Sequence, residues 1–270
     1  MKIAYFIKKS GLVADPAVRS FLEDLAAAGP EVYDVAGGLQ PNTDMLIAFG
    51  GDGTFLTASR IVCQAGVPIL GINLGRMGFL SDAELGSVLQ PILEGRYRIE
   101  DREMLEVTVD GAPAPNIFPY ALNEVAFRRS GAGTLGVDLK LDGSALPTYW
   151  CDGLLVSTST GSTAYSLSVG GPICPPDVEV FIIAPIAPHN LNVRPIVVSK
   201  DSVVEMTAID RKNRSVLLSV DNKDYVLPAG ASIKVCCAPF ALRRVTFGKS
   251  SFIDALRSKL FWGEDVRNSR

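Results

Sequence analysis

Apolar and polar positions recur with two different periods in the first hundred residues of the chain. Short apolar runs typical of buried strands occupy residues 2–7, 31–35, 45–49 and 67–72. Apolar residues at helical spacing lie between and after these runs, over residues 16–28, after Thr54 to about residue 64, and over residues 83–94. Asp15 followed by Pro16 predicts the start of the first helix, because Asp caps helices and Pro favours their first turn. Repeated strand–helix units predict an α/β domain over residues 1–101, with a parallel sheet and helices on both faces.

The pattern changes near Arg102. From there to about residue 248, short runs alternate apolar and polar residues, and turn signals such as Asp142–Gly143 separate them. This texture is typical of an antiparallel, all-β domain, which we place at residues 102–248 with residues 243–247 as its last strand. Helical spacing returns at residues 251–262. We expect residues 249–270, a helix with a polar tail, to pack back on the first domain.

The turn after the strand 45–49 contains Gly50, Gly51, Asp52, Gly53 and Thr54. Three glycines in four positions weaken both strand and helix, so they indicate a backbone that approaches another group closely or adopts a positive φ. We expect Thr54 to cap the next helix, whose first amide groups would form an anion site. A carboxylate repels phosphate there, so Asp52 is better suited to accept a proton or to bind a metal ion. The simpler alternative is a tight turn with a solvated Asp52.

A second glycine-rich loop, residues 71–82, follows the strand 67–72. Ligands of parallel α/β sheets bind beyond the carboxyl ends of the strands. Because both glycine loops stand at such ends, the sequence predicts that they border one cleft.

A second unusual stretch places seven hydroxyl-bearing residues within positions 157–165, ending at Tyr165. Hydroxyl groups and backbone amides bind sugar and base edges, and Tyr165 is suited to stack on a planar ring. A Thr/Ser-rich edge strand and turn is the alternative. The polar pair Asn123–Glu124 interrupts an apolar run, so we expect it to be hydrogen-bonded within the protein or to face a ligand.

Residues 131–136 match the dinucleotide-binding pattern G-x-G-x-x-G. That pattern requires a helix after its glycines. Residues 137–141 instead alternate like a strand, which predicts a hairpin loop.

Composition narrows the classes of function. The chain has 270 residues, 47% of them hydrophobic and 20% charged, with a net charge of −3. This composition favours a large core and argues against a nucleic-acid partner held by a basic surface. We see no apolar stretch of the roughly 18 residues that cross a membrane. The five cysteines form no CxxC pair and there is one histidine, so we predict no zinc site and reduced thiols in a cytoplasmic protein.

Several ordered motifs between about residues 45 and 200 resemble those of the NAD kinases. These are residues 50–54, residues 74–80 around Gly78–Phe79, Asn123–Glu124, residues 160–165 (Thr-Gly-Ser-Thr-Ala-Tyr), 170–173, 188–191 and 194–196. The glycine loop alone is less specific, because diacylglycerol and sphingosine kinases and phosphofructokinases carry similar runs. Two departures stand out: Ser159 replaces a frequent Pro, and Asn222 follows Asp221 where Gly is common.

The resemblance implies transfer of a γ-phosphoryl group from ATP, or from polyphosphate, to the 2′-hydroxyl of the adenosine ribose of NAD, giving NADP. Asp52 would be the general base. The residues implied to hold phosphates are Gly51, Gly53 and Thr54. Those implied to line the adenosine half of NAD are Phe79, Asn123, Glu124, Thr163 and Ala164. Those implied to line the nicotinamide half, across a subunit boundary, are Asp152, Tyr165, Ser168, Ala184 and Ile186.

The resemblance also implies a homodimer or homotetramer formed through the β domain. We see no lysine near the first glycine loop in the sequence, so we expect Mg²⁺ carried by the donor phosphates to neutralise their charge, with no dedicated metal ligands in the protein. Two alternatives stay open at this point. A lipid kinase would need an apolar acceptor site, and no amphipathic membrane helix is visible. A non-catalytic dinucleotide sensor would not need Asp52.

Overall fold

The computed structural model describes residues 1–75, 78–110, 116–209, 214–248 and 252–262. The chain forms two compact units. The second unit is Arg102–Ala241, and the first joins Met1–Asp101 to the chain from Leu242 onward. No helix in the described ranges is both long and apolar enough to cross a membrane.

The first unit is an α/β domain. Its strands are β1 (Lys2–Ile7), β2 (Glu31–Asp34), β3 (Met45–Phe49), β4 (Ile69–Asn73), β5 (Ala83–Glu84), β6 (Arg98–Arg102) and β20 (Leu242–Thr246). Its helices are α1 (Ser10–Val13), α2 (Pro16–Ala27), α3 (Asp52–Val62), α4 (Leu85–Leu93) and α6 (Phe252–Leu260). The sheet has the order β2-β1-β3-β4-β20-β6, with β5 beside β4. The pairs β1–β2, β1–β3, β3–β4, β4–β5 and β4–β20 are parallel.

Local sequence explains much of this unit. Every residue of β3 is buried, as its unbroken apolar run predicts. Helix α2 begins at Pro16, and the Asp15 carboxylate accepts the Ala17 amide hydrogen at 2.9 Å, as predicted for a capping Asp. Phe21 of α2 packs edge-to-face on Phe49 of β3, with ring centroids 5.9 Å apart.

The second unit is an antiparallel β sandwich. Its first sheet contains β7 (Leu105–Val109), β8 (Tyr120–Ala121), β10 (Leu135–Leu141), β11 (Ser144–Ala145), β12 (Tyr149–Cys151), β16 (Val204–Ile209) and β19 (Ser232–Cys237). Its second sheet contains β9 (Glu124–Arg129), β13 (Gly153–Thr158), β14 (Val180–Ile186), β15 (Ile196–Ser199), β17 (Val216–Val220) and β18 (Lys223–Leu227). The first has the order β11-β10-β16-β19-β7-β8 with β12 beside β10, and the second has the order β15-β14-β13-β9-β17-β18.

Buried residues from both sheets form one core, in which Phe127 and Phe181 are the largest side chains. The short helix α5 (Tyr165–Ser168) belongs to the segment that follows β13. Tyr165 packs on the opposite face of the second sheet, against a small cluster that contains Ala184. The match to G-x-G-x-x-G covers the connection from β9 to β10 and the first two residues of β10, and a strand rather than a helix follows its first glycines, as predicted.

One strand was assigned to the wrong domain. Residues 243–247 were expected to end the β domain, but β20 pairs in parallel with β4 of the first sheet, so the second unit ends at Ala241 and not at residue 248. A short apolar run indicates a strand without identifying the sheet that will bury it. The C-terminal helix α6 belongs to the first unit, as expected. Residues 249–251 and 263–270, which complete the predicted segment, lie outside the described residues.

Candidate active site

The first glycine loop connects β3 to α3 and is packed against its own helix. Gly50 has a φ of +144°, and a Cβ there would lie 2.5 Å from Thr54 Oγ1, so the position requires glycine. A Cβ at Gly51 or Gly53 would meet no described atom within 4 Å, so both face open space. Because α3 begins at Asp52 with Gly51 as its N-cap, the prediction that Thr54 caps this helix is wrong. Thr54 is instead a buried residue of the first turn, whose side chain supports Gly50.

The Asp52 carboxylate joins the two glycine loops. Oδ2 accepts the Phe79 amide hydrogen at 2.8 Å, and Oδ1 accepts those of Leu80 and Ser81, each at 3.0 Å. A Cβ at Gly78 would lie 1.9 Å from Oδ1, so only glycine allows this approach. The two glycine loops are therefore adjacent, as expected, because the Asp52 carboxylate of one bonds to the backbone amides of the other. Arg76 and Met77, part of the second loop, lie outside the described residues.

Two cationic side chains from the C-terminal part of the chain, Lys259 and Arg244, donate hydrogen bonds to the second glycine loop. Lys259 of α6 donates to the Gly78 carbonyl, and its Nζ lies 4.7 Å from the centre of the Phe79 ring. Burial lowers the pKa of Lys259 below its ordinary value, and the positive charge of Arg244 adds to this, whereas Asp82 and Asp52 oppose it. The sequence analysis missed Lys259, because no local pattern connects it to a loop some 180 positions earlier.

In the second unit, Asp221 holds the turn that contains Asn123 and Glu124. Its carboxylate accepts the amide hydrogens of Leu122 at 2.6 Å, Asn123 at 2.9 Å and Glu124 at 3.1 Å. Asp221 and Asn222 have φ values of +41° and +60° and form the turn between β17 and β18. Asn tolerates this left-handed conformation better than most residues, so Asn222 fits a position where the resemblance implies Gly. Asp221 carries no motif that would have marked it as the partner of Asn123.

Glu124 is buried beside this carboxylate. Desolvation raises the pKa of Glu124, the negative charge of Asp221 adds to this, and the hydrogen bond from the Tyr165 amide works in the opposite direction; together they bring the pKa to about 8. Its Oε2 accepts or donates no hydrogen bond among the described residues. The Glu124 carboxyl group is therefore mostly protonated at neutral pH, and one of its oxygens has hydrogen-bonding capacity to spare.

The hydroxyl-rich stretch mostly bonds to the protein's own backbone. Ser157 Oγ donates to Asn123 O at 3.1 Å, and Thr158 Oγ1 donates to Leu122 O at 2.6 Å. Thr158 Oγ1 also accepts the Gly161 amide hydrogen at 3.0 Å. These bonds fix the start of the segment that carries Thr163, Ala164 and Tyr165 against the turn held by Asp221. The side chains of those three residues are half-buried.

The residues predicted for the nicotinamide half lie around the end of β14. Asp152 N donates to Ile186 O at 2.9 Å, and Ile186 and Tyr165 pack against the cluster that contains Ala184. The Asp152 carboxylate already forms a two-pronged ion pair with Arg129, at 2.7 and 3.0 Å, and this pairing raises the pKa of Arg129. Ser168 ends α5. Of the residues predicted to bind NAD, Phe79 alone belongs to the first unit.

Replacing Gly161 with alanine should destabilise the second unit by about 2–3 kcal/mol, because the new Cβ would lie 2.2 Å from the carbonyl oxygen of Asn123. Urea unfolding monitored by circular dichroism measures the loss. Gly131→Ala is the matched control, since its nearest described atom is an Arg214 side-chain nitrogen at 3.8 Å, and we expect a change of no more than about 0.5 kcal/mol. Equal losses in the two variants would contradict the packing that we describe.

Two family models match the chain: the ATP-NAD kinase N-terminal domain over residues 31–97, and the ATP-NAD kinase C-terminal domain over residues 122–247. The NAD kinase of Porphyromonas gingivalis is 40% identical over 252 residues, which are 92% of this chain and 86% of the relative. The NAD kinase of Bacteroides fragilis is 39% identical over 230 residues, which are 84% and 79% of the two chains.

Solved structures give the same answer. Yeast NADH kinase complexed with NADH has a TM-score of 0.88 and 25% identity, and the match covers all of this chain and 90% of that one. The NAD kinase from Archaeoglobus fulgidus in complex with ATP has a TM-score of 0.77 and 29% identity, with 97% and 99% of the two chains covered. These relatives do not favour the lipid-kinase alternative. The chain belongs to the NAD kinase family.

Proposed function

We propose that Asp52 is the general base in the phosphorylation of NAD by ATP, which makes NADP and ADP. The observation that carries this proposal is the position of its carboxylate, fixed by three backbone amides between two glycine loops at the first turn of α3. The space beside Gly51 and Gly53 allows phosphate oxygens to approach the backbone of the same turn. Phosphoryl transfer needs a place for the donor phosphates and a proton acceptor, and the first turn of α3 offers both.

The hydrogen bonds of Asp52 leave it able to act as a base. Among the described residues, Oδ1 accepts two amide hydrogens whereas Oδ2 accepts one. A carboxylate oxygen has about two acceptor directions, so Oδ2 retains one for a ribose hydroxyl. In the reaction, the 2′-hydroxyl oxygen bonds to the γ-phosphorus of ATP while the bond from that phosphorus to the ADP oxygen breaks. The hydroxyl proton passes to Asp52, which later releases it to water.

We assign recognition of the dinucleotide mainly to the second unit. The rigid turn at Asn123–Glu124 presents polar groups of fixed orientation, and the protonated Glu124 is suited to donate a hydrogen bond to an acceptor on the ligand. Tyr165 and Ile186 are partly exposed and pack over the cluster that contains the fully buried Ala184, so these two side chains offer an apolar surface to a planar ring. Asp152 would contact the ligand only with the acceptor capacity that its pairing with Arg129 leaves.

The expected Mg²⁺ ion is better matched to the phosphate oxygens of ATP than to the side chains described near Asp52. Among the described residues, no three His, Cys, Asp or Glu side chains converge on a common point. Asp52 spends three acceptor positions on backbone amides, so it is poorly suited to be a principal ligand. Mg²⁺ bound to the ATP phosphates would supply neutralisation of their charge. Polyphosphate as a second donor, a cytoplasmic location and a homodimeric or homotetrameric assembly remain predictions from the family resemblance.

The purified protein should convert NAD to NADP with ATP and Mg²⁺, measured by an NADP-specific dehydrogenase assay. Chelation of Mg²⁺ should lower the rate at least about tenfold, because the triphosphate charge is then uncompensated. Parallel reactions with polyphosphate as donor, and with NADH or diacylglycerol as acceptor, define the substrate range. Phosphorylation of diacylglycerol without phosphorylation of NAD would overturn the assignment.

A further inference from the structure

The four-residue segment Gly78–Ser81, which we call the clamp loop, is bonded on both sides of its backbone. Three of its amide hydrogens point to the Asp52 carboxylate. Two of its carbonyl oxygens accept hydrogen bonds from Lys259 and Arg244, both of which belong to the part of the chain that follows the β domain. The loop therefore lies between one anion and two cations of the same unit.

The first connection runs through a single peptide group. Lys259 Nζ donates to the carbonyl oxygen of Gly78, and the amide of the same peptide, that of Phe79, donates to Asp52 Oδ2 at 2.8 Å. Because a peptide group is planar and rigid, fixing its carbonyl oxygen also fixes the direction of its N–H bond. Lys259 lies over the Phe79 ring as well, so it restrains both the peptide and the side chain next to it.

The second connection repeats this arrangement two residues later. Arg244 Nε donates to the carbonyl oxygen of Leu80 at 3.1 Å, and the amide of that peptide, on Ser81, donates to Asp52 Oδ1 at 3.0 Å. Arg244 is buried and is itself held by Asp82 at 2.6 Å and by Glu100 at 3.1 Å. The guanidinium group is thus a fixed anchor for the loop.

Both connections have an electrostatic effect on Asp52 as well as an orienting one. A hydrogen bond to a carbonyl oxygen polarises its peptide and strengthens the N–H donor at the other end. A cation at one end and a carboxylate at the other reinforce each other through the peptide dipole. Without the cations, only the bonds to Asp52 and the hydrogen bond from Gly78 N to Ser81 O would restrain the two peptides. A displacement of about 1 Å at a reacting group is enough to cost about 10²-fold in rate.

We infer that Lys259 and Arg244 are positioning residues for Asp52, which they orient through the Gly78–Phe79 and Leu80–Ser81 peptide groups. The inference rests on the proposed role of Asp52 as the base. On this reading, the chain segment that returns after the β domain completes the reaction centre, although neither cation is required to touch a substrate.

Lys259→Met tests this inference with little change in side-chain size or helix propensity. We expect kcat to fall about tenfold while KM for NAD and KM for ATP stay within about twofold, because orientation of the base affects the transition state more than substrate binding. Lys259→Arg should recover most of kcat, since it retains a cationic donor. Arg257→Met is the matched control, an exposed cation on the same helix, and it should leave kcat unchanged.

Three kinetic outcomes would overturn the inference: unchanged kcat in Lys259→Met, an equal loss in Arg257→Met, or a loss expressed wholly in KM, which would make Lys259 a substrate ligand. A second measurement does not depend on turnover. The melting temperature should fall by more when Lys259→Met is made in the parent than when it is made in Asp52→Asn, where the charge at the other end of the peptide is gone. Equal falls in melting temperature in the two backgrounds would also overturn the inference. Full turnover of the single variant Asp52→Asn would instead reject the proposed role of Asp52 as the base.

Discussion

Asp52→Asn is expected to lower kcat by about 10²–10⁴-fold, the range over which a positioned general base assists proton transfer. Asparagine is close in shape to aspartate but has no basic oxygen for the ribose proton. KM for NAD should change by less than about threefold, since most of the proposed dinucleotide contacts lie in the second unit. Steady-state NADP formation gives kcat, and calorimetric titration with NAD gives the binding constant.

The substitution also has a structural effect that a control must separate. An asparagine amide group would face one of the three backbone N–H donors that now meet Asp52, so the clamp loop could shift. Asp15→Asn is the matched control, because Asp15 likewise accepts backbone amides at the start of a helix and Asn caps almost as well. The control should keep full turnover. If Asp52→Asn turned over NAD at the parent rate, Asp52 would not be the base.

In both units, one carboxylate fixes a turn that carries predicted site residues. In the first, Asp52 accepts the amides of three consecutive residues, Phe79 to Ser81. In the second, Asp221 accepts those of Leu122 to Glu124. A carboxylate bonded to three amides replaces the water that would otherwise solvate those donors, and holds irregular backbone in one conformation. In the first unit, this explains how a glycine-rich loop keeps one backbone conformation.

The sequence predicted features that depend on neighbours along the chain. The buried run 45–49 became β3, Asp15 caps α2 at Pro16, and the glycines of the first loop mark the turn into α3. Each follows from local backbone preferences or from the period of apolar residues. The α/β class of the first unit and the antiparallel β class of the second follow in turn, because the order of elements restricts how they can pack. The division of the β domain into two packed sheets was not predicted.

The sequence could not identify partners that are distant along the chain. The run that forms β20 fits either sheet, and only its pairing with β4 decides between them. Lys259 and Asp221 act through backbone atoms of loops far away, and hydrogen bonds to backbone impose no residue type on their partners. Thr54 shows an error of a different kind, in a local assignment. Its residue type is common at helix caps and it was assigned that role, whereas the helix already begins two residues earlier.

Glu124 should make the stability of the second unit depend on pH in the direction opposite to that of most carboxylates. Its pKa is about 8 in the folded protein, against an ordinary value of 4.5. Between these values the folded protein holds a proton that the unfolded chain releases. The stabilising contribution is therefore complete below about pH 4.5 and is lost as pH rises through 8, with a slope of at most about 1.4 kcal/mol per pH unit.

Glu124→Gln tests this dependence, because glutamine resembles the protonated acid and does not ionise. Urea unfolding of the parent and the variant should be compared between pH 5 and pH 9. We expect the variant to lose less stability than the parent as the pH rises, and to be the more stable of the two by about 2 kcal/mol or more above pH 8. NAD binding, followed by calorimetry over the same range, should weaken above pH 8 in the parent if the protonated acid donates to the ligand.

The exposed Glu23 of α2 provides the control, since Glu23→Gln makes the same chemical change where no buried charge is involved. Its stability should follow that of the parent at every pH. Asp221→Asn adds a second constraint: removing the neighbouring negative charge should lower the pKa of Glu124 and move the upper end of the sensitive range to lower pH. Parallel pH profiles for the parent and Glu124→Gln would mean that Glu124 is ionised in the folded protein, and that the turn it occupies is open to water.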